Sequence, residues 1–112
     1  MLTIFLGKDN LSELQLISGK SPANLDNVTR VVVKIGEVEI DSNSVENQTE
    51  NYITWTSGVP NFNQGNLILK LGNYPDLQEL EGVNEMGLTT YDVYYPNGLS
   101  WVHEFPVRII RG

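Results

Sequence analysis

A strict alternation over residues 88–110 constrains this chain more than any other feature. Leu99, Trp101, His103, Phe105, Val107 and Ile109 form an almost wholly apolar odd-numbered set, the period of two that belongs to a strand with one face in a core. In the preceding segment Thr89, Tyr91, Val93 and Tyr95 alternate with Thr90, Asp92 and Tyr94. Between the two arms stands Pro96-Asn97-Gly98. Pro96 presets φ for the first central position of a type I turn, and Gly98 can take the left-handed conformation that closes a three-residue hairpin loop. The expectation is one long hairpin over Leu88–Ile110 with Tyr95 facing Leu99, and with Tyr94 and its even-numbered neighbours on the outer face. One hairpin cannot bury its own apolar face, so the rest of the chain must supply strands that cover it.

Those strands can be read in order. Thr3–Gly7 and Glu13–Ser18 are short alternating segments around Lys8-Asp9-Asn10, with Leu2, Ile4 and Leu6, then Leu14 and Leu16, able to share a buried face. Turn residues 21–27 surround Leu25, which is expected to plug one end of the core. Thr29–Ile40 is a second hairpin. A two-residue type II′ loop at Gly36-Glu37 pairs Ile35 with Val38 and Val33 with Ile40, and puts Val31, Val33, Ile35, Val38 and Ile40 on one face. Arg30, Lys34, Glu39 and Asp41 then lie on the other, and a one-residue slip would reverse the two sets. Residues 41–51 read as a long polar loop with Val45 as the only apolar anchor. Tyr52–Thr56 and Asn66–Leu71 are further strands, the second burying Leu67, Leu69 and Leu71. Asp76–Glu81 carries at most one helical turn, with Leu77 and Leu80 three apart.

Seven to eight short strands, close-set turn signals and almost no helical periodicity predict an all-β protein, an antiparallel β-sandwich, with Trp55 and Trp101 at the centre of its core. At 112 residues, of which 40% are hydrophobic, the chain fits a single domain over 1–112. It contains no cysteine, so neither a disulfide nor a thiolate site can hold it. The opening Met-Leu-Thr-Ile-Phe-Leu is too short for a signal peptide or a membrane span and reads as a first strand. Fourteen acidic against seven basic residues give a formal charge of −7, which argues against nucleic acid as a partner. An acidic surface of this kind serves solubility, a basic protein partner or DNA mimicry.

Nothing in the sequence carries chemistry. His103 is the only histidine and falls between Trp101 and Phe105 on the apolar face, where a structural role is expected. There is no nucleophile elbow, no glycine-rich phosphate loop and no metal-ligand spacing. The first residues of 41–51 have the acids and amides of a calcium loop, but Val45 and Glu46 stand where that motif wants an oxygen ligand and a glycine. Neither catalysis nor a cofactor is expected. Tyr52, Phe62, Tyr74 and Tyr94 are aromatics off the core face, as cover for loop ends or as a contact platform for protein or sugar.

The order of motifs adds a resemblance. A short opening strand, Gly7-Lys8-Asp9, a second strand, Pro22 and Leu25 ahead of Thr29-Arg30-Val31-Val32-Val33-Lys34, then Ile53-Thr54-Trp55 and Gly65-Asn66-Leu67-Ile68-Leu69, resemble the immunoglobulin-like N-terminal domain of phage baseplate upper proteins and related small virion proteins. Thr89–Trp101 is similar to the closing hairpin of such domains. The resemblance implies an immunoglobulin-like sandwich that docks onto a bacteriophage tail, baseplate or capsid, assembled in the host cytoplasm. Its partners would be other virion proteins in a symmetric assembly, with no membrane and no nucleic acid. Because the sequence ends at Gly112 without a fibre-forming extension, a capsid decoration or completion role is expected as much as an adaptor. The residues expected to make contacts are Glu46, Asn47 and Glu50 in one loop, Pro60, Phe62 and Asn63 in another, and Tyr74, with edge strands pairing to neighbours. Two alternatives stand beside this. One is a carbohydrate-binding sandwich that uses Tyr74 or Phe62; the other is a small acidic inhibitor of a host protein.

Overall fold

The computed structural model describes residues 2–8, 11–18, 20–22, 25, 28–55, 66–92 and 95–111, with side chains at all of these except 18, 21, 22, 92 and 95–103. The second hairpin is built as its sequence demands. Strands β5 (Val28–Ile35) and β6 (Val38–Asp41) pair Ile35 with Val38 and Val33 with Ile40. Gly36 has φ 59° while Glu37 does not have a positive φ, the signature of a type II′ turn. Val31, Val33, Ile35 and Ile40 are fully buried. Lys34 and Glu39 face solvent, and Arg30 meets Asp41 across the outer face.

This hairpin is half of a five-stranded sheet. Strand β9 (Gly82–Asp92) pairs antiparallel with β5, β10 (Tyr95–Arg111) pairs antiparallel with β9, and β1 (Leu2–Leu6) lies parallel to β10, giving the order β1-β10-β9-β5-β6. The sheet is therefore mixed rather than purely antiparallel, because β1 joins the last strand of the chain. Strands β2 (Leu11–Gln15), β7 (Ile53–Trp55) and β8 (Asn66–Lys70) form a second sheet in the order β2-β8-β7. The segments β3 (Ile17–Ser18) and β4 (Ser21–Pro22) pair with each other. The first two strands thus share a core from opposite layers, without pairing.

Both sheets turn their apolar faces inward, which makes the protein an all-β sandwich. Ile4 and Leu6 from β1, Leu67 and Leu69 from β8, Met86 and Leu88 from β9, and Val107 and Ile109 from β10 belong to one buried cluster. Leu25 joins it at 1% exposure. Each such side chain contributes about 1.5–3 kcal/mol by leaving water. The core is aliphatic. Trp55 does not stand at its centre: it is half-buried on the three-residue edge strand β7 and packs against the cluster from the side. The Trp101 and His103 side chains lie outside the described residues.

The closing hairpin differs from expectation in register. Tyr95 pairs with Asp92 and Leu99 with Tyr91, so the chain reverses before Pro96 and not around it. Pro96, Asn97 and Gly98 are extra residues on β10 opposite the step from Asp92 to Tyr91, and a second irregularity precedes the pairing of Trp101 with Thr90. Bulges of this kind bend a strand and reset its register, and proline, which cannot donate to a ladder, is tolerated there. The consequence is a change of face. Beyond the bulges His103 pairs with Leu88 and Phe105 with Met86, so the odd-numbered side of β10 shares its face with the even-numbered side of β9. Met86, Leu88 and Thr90 are fully buried, whereas Thr89 and Tyr91 are half-exposed. The tight turn would have buried Thr89 and Tyr91 in place of Met86 and Leu88; apolar burial favours the observed register.

Candidate functional site

Residues 41–51 form a built corner and not the open loop that their polarity suggested. Asp41 Oδ1 accepts a hydrogen bond from the Asn43 backbone N–H at 2.9 Å, which starts the turn. Ser42 extends the β5–β6 ladder, its Oγ accepting from Val31 N–H and its own N–H donating to Val31 carbonyl oxygen, both at 2.9 Å. Ser44 then caps the helix α1 (Val45–Glu50), accepting from Asn47 N–H at 3.1 Å. Asn51 ends the helix in the left-handed conformation, φ 56°.

Asn47 holds the corner to the sandwich. It is only 6% exposed. Its Oδ1 accepts from Ile53 N–H at 2.7 Å, and its Nδ2 donates to the carbonyl oxygens of Ser42 at 3.0 Å and Ile53 at 3.2 Å. The helix is thereby tied to both the end of β6 and the start of β7. A residue whose side-chain hydrogen bonds are all made inside the protein cannot meet a partner, so Asn47 is removed from the contact set. The same burial closes Asn47-Gln48-Thr49 as a glycosylation triplet.

Tyr52, expected off the core, is buried at 8% exposure, and its ring lies 5.0 Å from that of Tyr74 at an interplanar angle of 31°. Tyr74 precedes a 3-10 turn at Pro75–Leu77, which overlaps only the start of Asp76–Glu81, the stretch expected to carry at most one helical turn or a plain loop. The segment is held by Gln78, whose Nε2 donates to the carbonyl oxygens of Gly72 at 2.9 Å and Tyr74 at 3.0 Å. Arg111 bonds Gln78 carbonyl oxygen and pairs with Glu81 at 2.8 Å. Burial raises the Tyr74 phenol above its ordinary value, and the charges of Asp76 and Glu46 push in the same direction. The Tyr52–Tyr74 contact brings the end of α1 and the 3-10 turn into one neighbourhood. Glu46 and Glu50 on the helix and Asp76 on the turn are exposed, and Tyr74 is half-buried.

Of the expected contact residues, the structure brings Glu46, Glu50 and Tyr74 to this corner and buries Asn47 beneath it. Pro60, Phe62 and Asn63 lie outside the described residues. Sequence reasoning missed Tyr52 and Asp76 as members. It also missed the helix itself, whose signals were Ser44 three residues ahead of Asn47 and an asparagine at the far end. Beside the corner, Arg30 Nε and Nη2 donate to Asp41 Oδ2 at 2.9 and 2.5 Å, and the guanidinium sits 4.9 Å from the Tyr91 ring centroid. Burial pushes the Asp41 carboxyl up, but the hydrogen bonds from Arg30 and Asn43 outweigh it and hold the group below its ordinary value.

Two hollows open on the outer faces of the sheets. One, of about 320 Å³, crosses the outer face of the large sheet between Lys34 and Glu104, whose register partner Gly87 leaves its floor open. The other, of about 310 Å³, is lined by Glu13, Thr54, Trp55, Asn66 and Ile68 on the second sheet. Among the described residues no three His, Cys, Asp or Glu side chains gather as metal ligands, and no helix is long and apolar enough to cross a membrane. No protein-family model matches the chain, and no curated protein or solved structure matches it.

Proposed function

We propose that the chain is a non-enzymatic structural protein that works by protein–protein contact within a phage-type particle, through the acidic and aromatic corner formed by α1 and the 3-10 turn. The observation that carries this reading is the rigidity of that corner. Exposed Glu46 and Glu50 ride on a helix that a buried side chain ties to both flanking segments, with a tilted tyrosine pair and Asp76 beyond it. Preorganised charge of one sign, with an aromatic at its centre, suits docking on a basic protein surface and limits the ordering cost of binding. The strand order supports the immunoglobulin-like part of the reading. The last two strands lie beside β5 and β6 in one layer, with β2-β8-β7 in the other, an order found in variable-type immunoglobulin sandwiches.

A sugar platform at Tyr74 is not favoured, because its ring is half-buried against Tyr52. The test is composition of the particle. Gradient-purified virions from a lysate that contains this protein should carry it at a fixed copy number. The double substitution Glu46→Lys and Glu50→Lys should reduce its incorporation while leaving the fold intact. Virions that lack the protein, or that take up the double variant as well as the parent, overturn the assignment.

A further inference from the structure

The second sheet has two edges, β7 and β2, and the chain treats them differently. Lys70 N–H donates to the Tyr52 carbonyl oxygen at 2.8 Å, which points the backbone groups of Lys70, and of Ile68 two residues before it, toward β7. By alternation those of Leu67 and Leu69 point toward β2, where their register partners are Leu14 and Ser12. Leu11 and Glu13 therefore carry their N–H and C=O groups on the open edge of β2. On the β7 edge the corresponding groups belong to Ile53, and the Asn47 side chain meets both of them from α1. Among the described residues nothing meets those of Leu11 and Glu13, since β2 has β8 as its one neighbour.

The side chains along this edge narrow what pairs with it. Glu13 is an exposed carboxylate, and Leu11, on the same face, is 69% exposed. On the opposite face Leu14 is half-buried and packs against the rim of the core, so a strand added beside β2 would cover it. A second copy of the chain is disfavoured. The in-register antiparallel pair of two β2 strands sets Glu13 against its own copy, between two chains of formal charge −7, and like charges opposed across a ladder are destabilising. An extended segment with lysine or arginine opposite Glu13 and apolar residues around it meets each demand. Its backbone pairs with Leu11 and Glu13, its cation neutralises the carboxylate, and its apolar side chains cover Leu14 on one face and Leu11 on the other.

We propose that the β2 edge takes up an extended segment of a basic partner protein as an added strand, hydrogen-bonded to the backbone of Leu11 and Glu13 and ion-paired with the Glu13 carboxylate. This edge lies across the sheet from the acidic corner and binds without it. The probe is the end-blocked pentapeptide Thr-Val-Lys-Val-Val, together with its reversed sequence for the parallel orientation. Each is titrated to millimolar concentration into the isotope-labelled full chain and read at the backbone amide resonances. One of the two should shift the Leu11 and Glu13 amides saturably, and glutamate in place of its lysine should weaken binding about fivefold. Glu13→Pro removes the outward N–H and no bond to β8, so it should keep the fold and lose the peptide. Glu13→Lys, a change at an exposed side chain, should reverse the preference between the lysine and glutamate peptides whether or not the proline variant folds. No saturable shift with either order, shifts confined to amides outside Leu11–Gln15, or a preference that Glu13→Lys leaves unchanged overturns the proposal. Shifts of the same amides on concentrating the chain alone would assign the edge to a second copy and overturn it as well.

Discussion

Asn47→Ala separates two accounts of residues 41–51 by sign. If the segment were an exposed loop or a solvated helix, alanine would be neutral or would stabilise by about 0.5 kcal/mol through helix propensity. In the structure the substitution removes three hydrogen bonds from a side chain that is 6% exposed. It leaves the Ile53 N–H, previously paired at 2.7 Å, without its acceptor. Each net bond contributes about 1 kcal/mol, and a stranded buried donor costs about 1–3 kcal/mol. After the propensity gain the expected loss is about 2–3 kcal/mol, equivalent to about 10 °C in Tm for a domain of this size. Urea unfolding followed by circular dichroism should show the midpoint fall by about 1–2 M with an unchanged slope. Asn47→Asp keeps the acceptor but turns a carboxylate oxygen toward two carbonyl oxygens, so it should be at least as damaging at neutral pH. A loss below about 0.5 kcal/mol for Asn47→Ala would refute the buried anchor, and with it the rigid corner on which the docking proposal rests.

Two further outcomes test the frame around that corner. The Gly36→Ala variant should lose about 1–2 kcal/mol through backbone strain alone, since φ is 59° and an added Cβ would meet only the Leu80 Cδ1 at 3.9 Å; an unchanged midpoint in thermal unfolding would contradict the type II′ turn. The Asp41 carboxyl is held low by Arg30, after the opposing effect of burial, so its contribution is present above the unfolded carboxylate value of about 3.9 and is lost as pH falls through the lower folded value. The stability difference between the parent and Asp41→Asn should therefore narrow as pH drops below about 4, and should shrink in salt because the pair is partly exposed. A difference that stays constant across that range would show that the ion pair does not account for it.

What could be read from the sequence was whatever local chemistry and a period of two determine together. In β5 and β6 the turn residues and the apolar alternation demand the same register, and the structure has it pair for pair. The buried positions of β1 and β8 and the odd-numbered core face of β10 over Phe105–Ile109 follow from alternation alone, and the burial of Leu25 from its being the one large apolar residue among turn residues. The sandwich architecture followed from the number and spacing of such segments. Tertiary structure decided the rest, because those outcomes depend on competition between distant groups. Pro96-Asn97-Gly98 has the local chemistry of a turn, yet burying Met86 and Leu88 in β9 outweighs it and turns those residues into a bulge. The parallel docking of β1 on β10 is invisible to any local pattern, since it joins the two ends of the chain. In residues 41–51 composition predicted solvent exposure. Burial of one asparagine against the backbone at Ser42 and Ile53 made that segment a fixed helix, because an amide whose hydrogen bonds are all satisfied can leave water at little cost.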